Sequence, residues 1–315
     1  MPVLKSAQRR VQPGRNQGDT VSKHDRAKRH ERRNNPPNIT IQIPRDLDVL
    51  EAVYLHRVLS QYQLQRLFFP SKDRTQQRLR LLYDHAYLDR RFQPQRVGET
   101  GRTPNLYVLD RKGSDLLKAE RPELEVVWHH SYKDPSDEYL RHLLPLNEFM
   151  VVVTLAAKSR GYKVHEWQTE AQLKAAPQRV RVQTATGRKR DIAVVPDTFF
   201  SIQQGRYIYP FMVEQDGTTQ TAKVIKQKIR MYHAYYTSGK YTERYGYNSF
   251  RVLFVTGSGK RLQSLKRWTE ELNLDGQHHF YFAVHSQLSP KTLFDRPVWY
   301  RAGSQEPLEL LTTST

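Results

Sequence analysis

From residue 45 onward, apolar positions recur every three to four residues and predict a run of helices. Leu47, Leu50, Val53, Tyr54 and Val58 share one face of a first helix, with Asp46 as its cap. Ser60 caps a short second helix that turns Leu64, Leu67 and Phe68 inward and stops at Pro70. Asp73 opens a third, DRTQQRLRLLYDHAYL, with Thr75, Leu79 and Leu82 inward and Arg74, Gln77, Arg78 and Arg80 outward. The period then shortens to two. YLDRRF, a loop QPQRVGETGRTP and NLYVLD read as a basic-tipped β-hairpin. A closing helix, KGSDLLKAE, completes a unit over residues 45–120 whose order is that of a winged helix-turn-helix.

Residues 121–135, bracketed by Pro122 and Pro135, read as a linker. A long apolar helix follows from Ser136, with Pro145 as a kink. Strand-like runs come next: KVHEW, VRVQTA, DIAVVPDTFF and YPFMVEQDGTT. A helix AKVIKQKIRMY, a strand RVLFVTGS, a helix GKRLQSLKRWTEEL and a strand HFYFAVHS complete the series. This alternation predicts a mixed-sheet α/β domain over residues 136–286. Residues 287–315 read as an irregular tail that packs through Phe294, Trp299 and Tyr300. Residues 1–37, charged and ending in Pro-Pro, read as a disordered arm.

Charge narrows the partners. The 315 residues carry a net +19, and residues 1–37 hold ten Lys/Arg against three acids, so the folded part is basic as well. That balance points to a polyanionic partner, nucleic acid, against a plain role in solubility, and the winged-helix order makes double-stranded DNA the expected one. Arg74, Gln77, Arg78 and Arg80 on the third helix suit a major groove, and Arg90, Arg91, Arg96 and Arg102 lie on or beside the wing. The same unit could instead serve protein contacts, and the arm could either follow phosphates or be a solvated tail. With no cysteine in the sequence, disulfides and Cys-ligated metals are excluded. The twelve histidines are scattered. No apolar run reads as a membrane span and no apolar stretch follows the basic N-terminus, so cytoplasm or nucleoid is the expected location. GSGK at 257–260 lacks the spacing of a phosphate-binding loop.

Acids at the ends of strands supply the candidate chemistry. Asp197 sits late in one strand-like run, while Glu214 and Asp216 stand two apart in the next and so face one side of a sheet. Carboxylates converging from neighbouring strands can hold Mg²⁺ or Mn²⁺ for phosphodiester chemistry. Asp191 shares Asp197's side by even spacing.

Two stretches, LDVLEAVYLHRVLSQYQLQRLFF…NLYVLDRKGSDLL and RHLLPLNEF…PDTFF…FMVEQDGTTQTAKVIKQKIRMYHAYY, together resemble the replication-relaxation proteins over about residues 45–260. The resemblance implies a winged helix joined to a PD-(D/E)xK restriction-endonuclease-like domain, a plasmid or mobile-element setting, and kinship with one class of mobilisation relaxases. It places Pro196-Asp197 at the "PD" element and Glu214-Gln215-Asp216 at the (D/E)xK element, with Asp216 where lysine belongs. On the next helix Lys228 stands among Val224, Met231 and Tyr235 on an apolar side, beside the stripe of Ile225, Ile229, Tyr232 and Tyr236. It either reaches back to the acids as the displaced lysine or packs its stem and points its head to water. Glu148 could be an accessory acid or a half-exposed helix acid, and His142 could orient a carboxylate or sit hydrogen-bonded in the core. The expected function is DNA binding in plasmid or mobile-element replication or mobilisation, with metal-dependent nicking through Asp197, Glu214, Asp216 and Lys228. The alternatives are a non-catalytic DNA-binding factor on a degenerate nuclease fold and a transposon-end endonuclease subunit. Other replication or mobilisation proteins are candidate partners.

Overall fold

The computed structural model describes residues 31–92, 105–183, 187–217 and 220–311. The N-terminal part runs α1 (Arg45–His56), β1 (Leu59–Ser60), α2 (Gln61–Phe68), α3 (Lys72–Asp84), β2 (Leu88–Phe92), β3 (Asn105–Leu109) and α4 (Arg111–Glu120). The short β1 joins the predicted hairpin in a three-stranded antiparallel sheet of order β1-β3-β2. Ser60 caps α2 as expected, and does so through a capping box with Gln63. Asp46 does not cap α1. It lies inside the first turn, fully buried, and accepts from Gln42 N–H and from the Arg78 guanidinium. Ser71 rather than Asp73 caps α3.

Residues 121–135 do not hang free. Val126 is buried against the N-terminal core and the Trp128 indole donates to Leu109 O at 3.0 Å. Of the arm, residues 31–37 are described and docked: Arg32 donates to Tyr83 O at 2.8 Å and to Asp110 at 2.5 Å. The earlier residues 1–30 lie outside the described residues.

α5 (Asp137–Ser159) leads into β4 (Lys163–Thr169), α6 (Glu170–Ala175), β5 (Gln178–Gln183) and β6 (Lys189–Val194). Then come β7 (Thr198–Gln204), β8 (Tyr207–Asp216), α7 (Ala222–Thr237), α8 (Lys240–Tyr245), β9 (Arg251–Thr256) and α9 (Gly259–Glu270). β10 (Phe280–Val284), β11 (Trp299–Arg301) and β12 (Pro307–Leu308) finish the chain. Seven strands form a mixed sheet in the order β12-β11-β10-β9-β8-β7-β4, parallel at β8–β9–β10 and antiparallel toward both sides. The parallel strands are buried on both faces, which explains their unbroken apolar runs VLFV and FYFAV.

The sheet region departs from the sequence reading at two points. DIAVVPDTFF is not one strand: β6 pairs with β5 in a separate hairpin, the chain breaks at Val195-Pro196, and β7 starts at Thr198. The residues after 286 are not irregular throughout, because β11 and β12 extend the sheet and Phe294 and Trp299 are fully buried.

α5 explains how the parts meet. Phe149, Val153 and Ala156 pack on the sheet core with Phe200, Phe211 and Trp299, while Val151 joins the N-terminal core. Leu140 and Leu143 lie against Val58 of the α1–β1 turn and against Leu106 and Val108 of the three-stranded sheet. A helix covered on several sides must be apolar nearly all round. By length and composition α5 could cross a membrane, yet 61% of that window is buried inside the fold. The opposite sheet face is covered by α7 and α9, through Ile225, Ile229, Leu262 and Leu265.

Candidate functional site

Glu214 and Asp216 lie on one face of β8, as alternation requires, beneath α7 and α9. Each is paired separately. Glu214, 2% exposed, accepts from Lys228 Nζ at 2.5 Å and from the Tyr232 hydroxyl at 2.5 Å. Burial raises the Glu214 carboxyl above its ordinary range; Lys228 opposes that rise and Asp197 adds to it. Burial alone would lower Lys228, but the carboxylates of Glu214 and Asp197 outweigh it and hold the amine above its usual value. Burial and then Glu214 push the Tyr232 phenol well up, so it stays a hydrogen-bond donor. Asp216 is gripped by Arg261 of α9 through two bonds, 2.8 and 2.7 Å, and by the Thr256 hydroxyl at 3.0 Å.

Asp197 has a different local role. The β7–β8 ladder begins at the Thr198–Val213 pair, which would leave Gln215 N–H beyond it without a strand partner. Asp197 Oδ2 accepts that N–H at 2.7 Å, and Oδ1 lies 3.3 Å from His142 Nε2 on α5. The hydrogen bond to Asp197 is the main reason the His142 imidazole is shifted upward. Behind β8, Gln215 Oε1 meets His285 Nε2 at 2.5 Å.

The three acids share the field of Lys228, yet each carboxylate has its own hydrogen-bonding partner. Among the described residues no group of three or more His, Asp or Glu is arranged to hold a metal, and cations of the chain itself, Lys228 and Arg261, occupy the approaches to Glu214 and Asp216. The residues present do not fit the expected Mg²⁺ or Mn²⁺ in this arrangement. Asp191 is exposed on the separate β5–β6 hairpin, with no part in the cluster. Glu148 pairs with Arg66 and accepts from Gln63 at 3.1 Å, so it fastens α2 to α5 rather than joining the acids.

The predicted DNA-facing residues divide. Arg74 and Gln77 are exposed on α3. Arg78 is not outward: it is 8% exposed, bonds Asp46 and donates to Thr40 O at 2.7 Å. Arg80 is paired with Asp84 at 2.9 Å. Arg90 is buried over the Tyr83 ring at 4.5 Å, and Arg91 bonds Lys133 O and lies 3.4 Å from Asp134. Arg96 and Arg102 lie outside the described residues. Sequence reasoning missed Arg261 and the Tyr232 hydroxyl. Tyr232 reads as packing because its ring does pack; Lys228 and Tyr232, four residues apart on one helix side, were the available signal.

Beside this cluster, a cavity of about 430 Å³ runs between the α1–β1 turn, residues 131–135, α5, α6 and the start of β7, with His142 and Asp197 in its wall. The replication-relaxation family model matches residues 50–250. The chain belongs to the replication-relaxation family. The resemblance carried by the quoted stretches is thereby borne out. No curated protein matches the chain. Among solved structures, restriction endonuclease FokI is similar at 15% identity over 77% of this chain and 42% of FokI, with a TM-score of 0.28. FokI bound to DNA gives 14% identity, 77% and 43% coverage, and a TM-score of 0.26. This replication-relaxation chain spans less than half of FokI's length.

Proposed function

We propose that this replication-relaxation protein is a DNA-binding factor of plasmid or mobile-element replication or mobilisation. Its N-terminal unit acts as a winged helix on duplex DNA, and its sheet unit is a nuclease-like scaffold whose acids serve the fold. One observation carries the choice against catalysis. All six carboxylate oxygens of Asp197, Glu214 and Asp216 already accept hydrogen bonds or ion pairs from the chain. The net charge of +19 and the exposed Arg74 and Gln77 on α3 support DNA as the partner.

A second reading, metal-dependent nicking, is favoured by Lys228, whose ammonium feels Glu214, Asp197 and Asp216 together, as a lysine guiding an attacking water would. Supercoiled plasmid incubated with the protein and Mg²⁺ or Mn²⁺ separates the two. The expected result is retained DNA binding, insensitive to chelator, without nicking. Nicking by the native chain that Asp197→Ala lacks would overturn the scaffold reading.

A further inference from the structure

The α1–β1 connection holds a residue with a side chain in the left-handed region. Arg57 has φ 64° and ψ −44°, and Val58 N–H closes onto His56 O at 2.7 Å, a γ-turn centred on a residue with a side chain. Such a conformation persists only where neighbours impose it. Here the clamp is Asn147 of α5. Its amide donates to His56 O at 3.0 Å and to Val58 O at 2.6 Å, and its oxygen lies 3.1 Å from His56 Nδ1. The turn directs Arg57 into the cavity that His142 and Asp197 also line.

The surroundings of Arg57 are unusual for a guanidinium. Among the described residues it makes no ion pair; it lies over the Tyr132 ring at 4.3 Å instead. Tyr132 and Tyr139 line the same cavity and are 36% and 40% exposed, among the larger exposed aromatics of the fold. Trp167 forms a further wall, its indole fixed on Thr198 at 3.0 Å. Part-exposed tyrosine rings, beside a guanidinium that makes no ion pair among the described residues, match a planar base carrying a phosphate. The volume of about 430 Å³ is in the range of small-ligand sites.

We infer that this cavity seats an unpaired nucleotide of the bound DNA, with the base against Tyr132 and Tyr139 and its phosphate on Arg57. The inference rests on the DNA-binding reading above and adds the form of DNA that is preferred. The clamped turn sets Arg57 in place before the nucleotide arrives, so little side-chain and backbone freedom is given up on binding.

The full chain is titrated with two probes: a fully paired oligonucleotide duplex, and the same duplex with one strand extended by a few unpaired nucleotides. The native protein should bind the extended probe about tenfold more tightly. Tyr139→Leu and Arg57→Gln should each remove most of that preference and leave paired-duplex affinity unchanged, while Tyr139→Phe keeps it. A fluorescent adenine analogue in the extension should be quenched by the native chain and by Tyr139→Phe, and not by Tyr139→Leu. Tyr139 is exposed, so its replacement leaves the core intact. Equal affinity of the native chain for both probes, or a preference that survives both substitutions, overturns the inference while DNA binding stands. Failure to bind either probe removes the DNA reading itself and this inference with it.

Discussion

At the scale of single residues, charge is placed inside the fold and matched there. Lys228 is the clearest case: its side chain is 29% exposed, and it neutralises the buried Glu214 carboxylate. Removing only the cation strands Glu214 in a low-dielectric site. Lys228→Met should cost about 2–3 kcal/mol, less than the roughly 3–5 kcal/mol of a fully buried pair because the amine reaches partly into water. Adding Glu214→Gln should recover most of the loss. Denaturant midpoints of the native chain, the single and the double variant check this; a double variant as unstable as the single would refute the pairing. Helix periodicity singled out this lysine without deciding it, since an apolar side suits a buried pairing and a snorkelling stem alike. Arg78 gave no such sign. It sits on the outward stripe of an isolated helix, and its partner Asp46 lies 32 residues earlier, beyond any local pattern.

At the scale of elements, α5 ties three cores together, and the His56–Asn147 contact lies where the N-terminal unit meets it. Burial lowers His56 from 6.5 to about 4, so the folded protein keeps it neutral. The unfolded chain takes up a proton below about pH 6.5, whereas the folded chain does so only near pH 4. Stability therefore falls as pH drops through that window, by up to roughly 3 kcal/mol from this residue. His142 works the other way. Its raised value adds stability that is complete below about 6.5 and fades as pH rises through the folded value. His56→Gln retains a donor for Asn147 and should flatten the acid limb of stability against pH, read from urea midpoints at neutral pH and toward the low end of the window. An unchanged limb would show that His56 is not the group responsible. The order of helices and strands could be read from periodicity, because each apolar run reports the face it buries. The break between β6 and β7 could not, since the apolar residues before Pro196 continue a strand-like run into a separate hairpin.

At the scale of the whole molecule, positive charge is spread between the folded units and a strongly basic leading segment. Residues 1–30 hold eight Lys/Arg against two Asp/Glu. If that segment follows the DNA backbone, its removal lessens counterion release. The slope of log Kd against log salt should then flatten by about 0.9 for each phosphate that is no longer neutralised. An unchanged slope would assign the binding charge to the folded units alone. The last strands matter in another respect. All five residues of β10 are buried, and its outer side is met by β11 of three residues and then by β12, a two-residue strand containing Pro307. Proline and brevity make a poor template for a neighbouring molecule's strand. Cutting the chain after residue 286 would bare the FYFAV backbone to self-association, so the shortened protein should precipitate on concentration, with light scattering rising before any loss of helix signal.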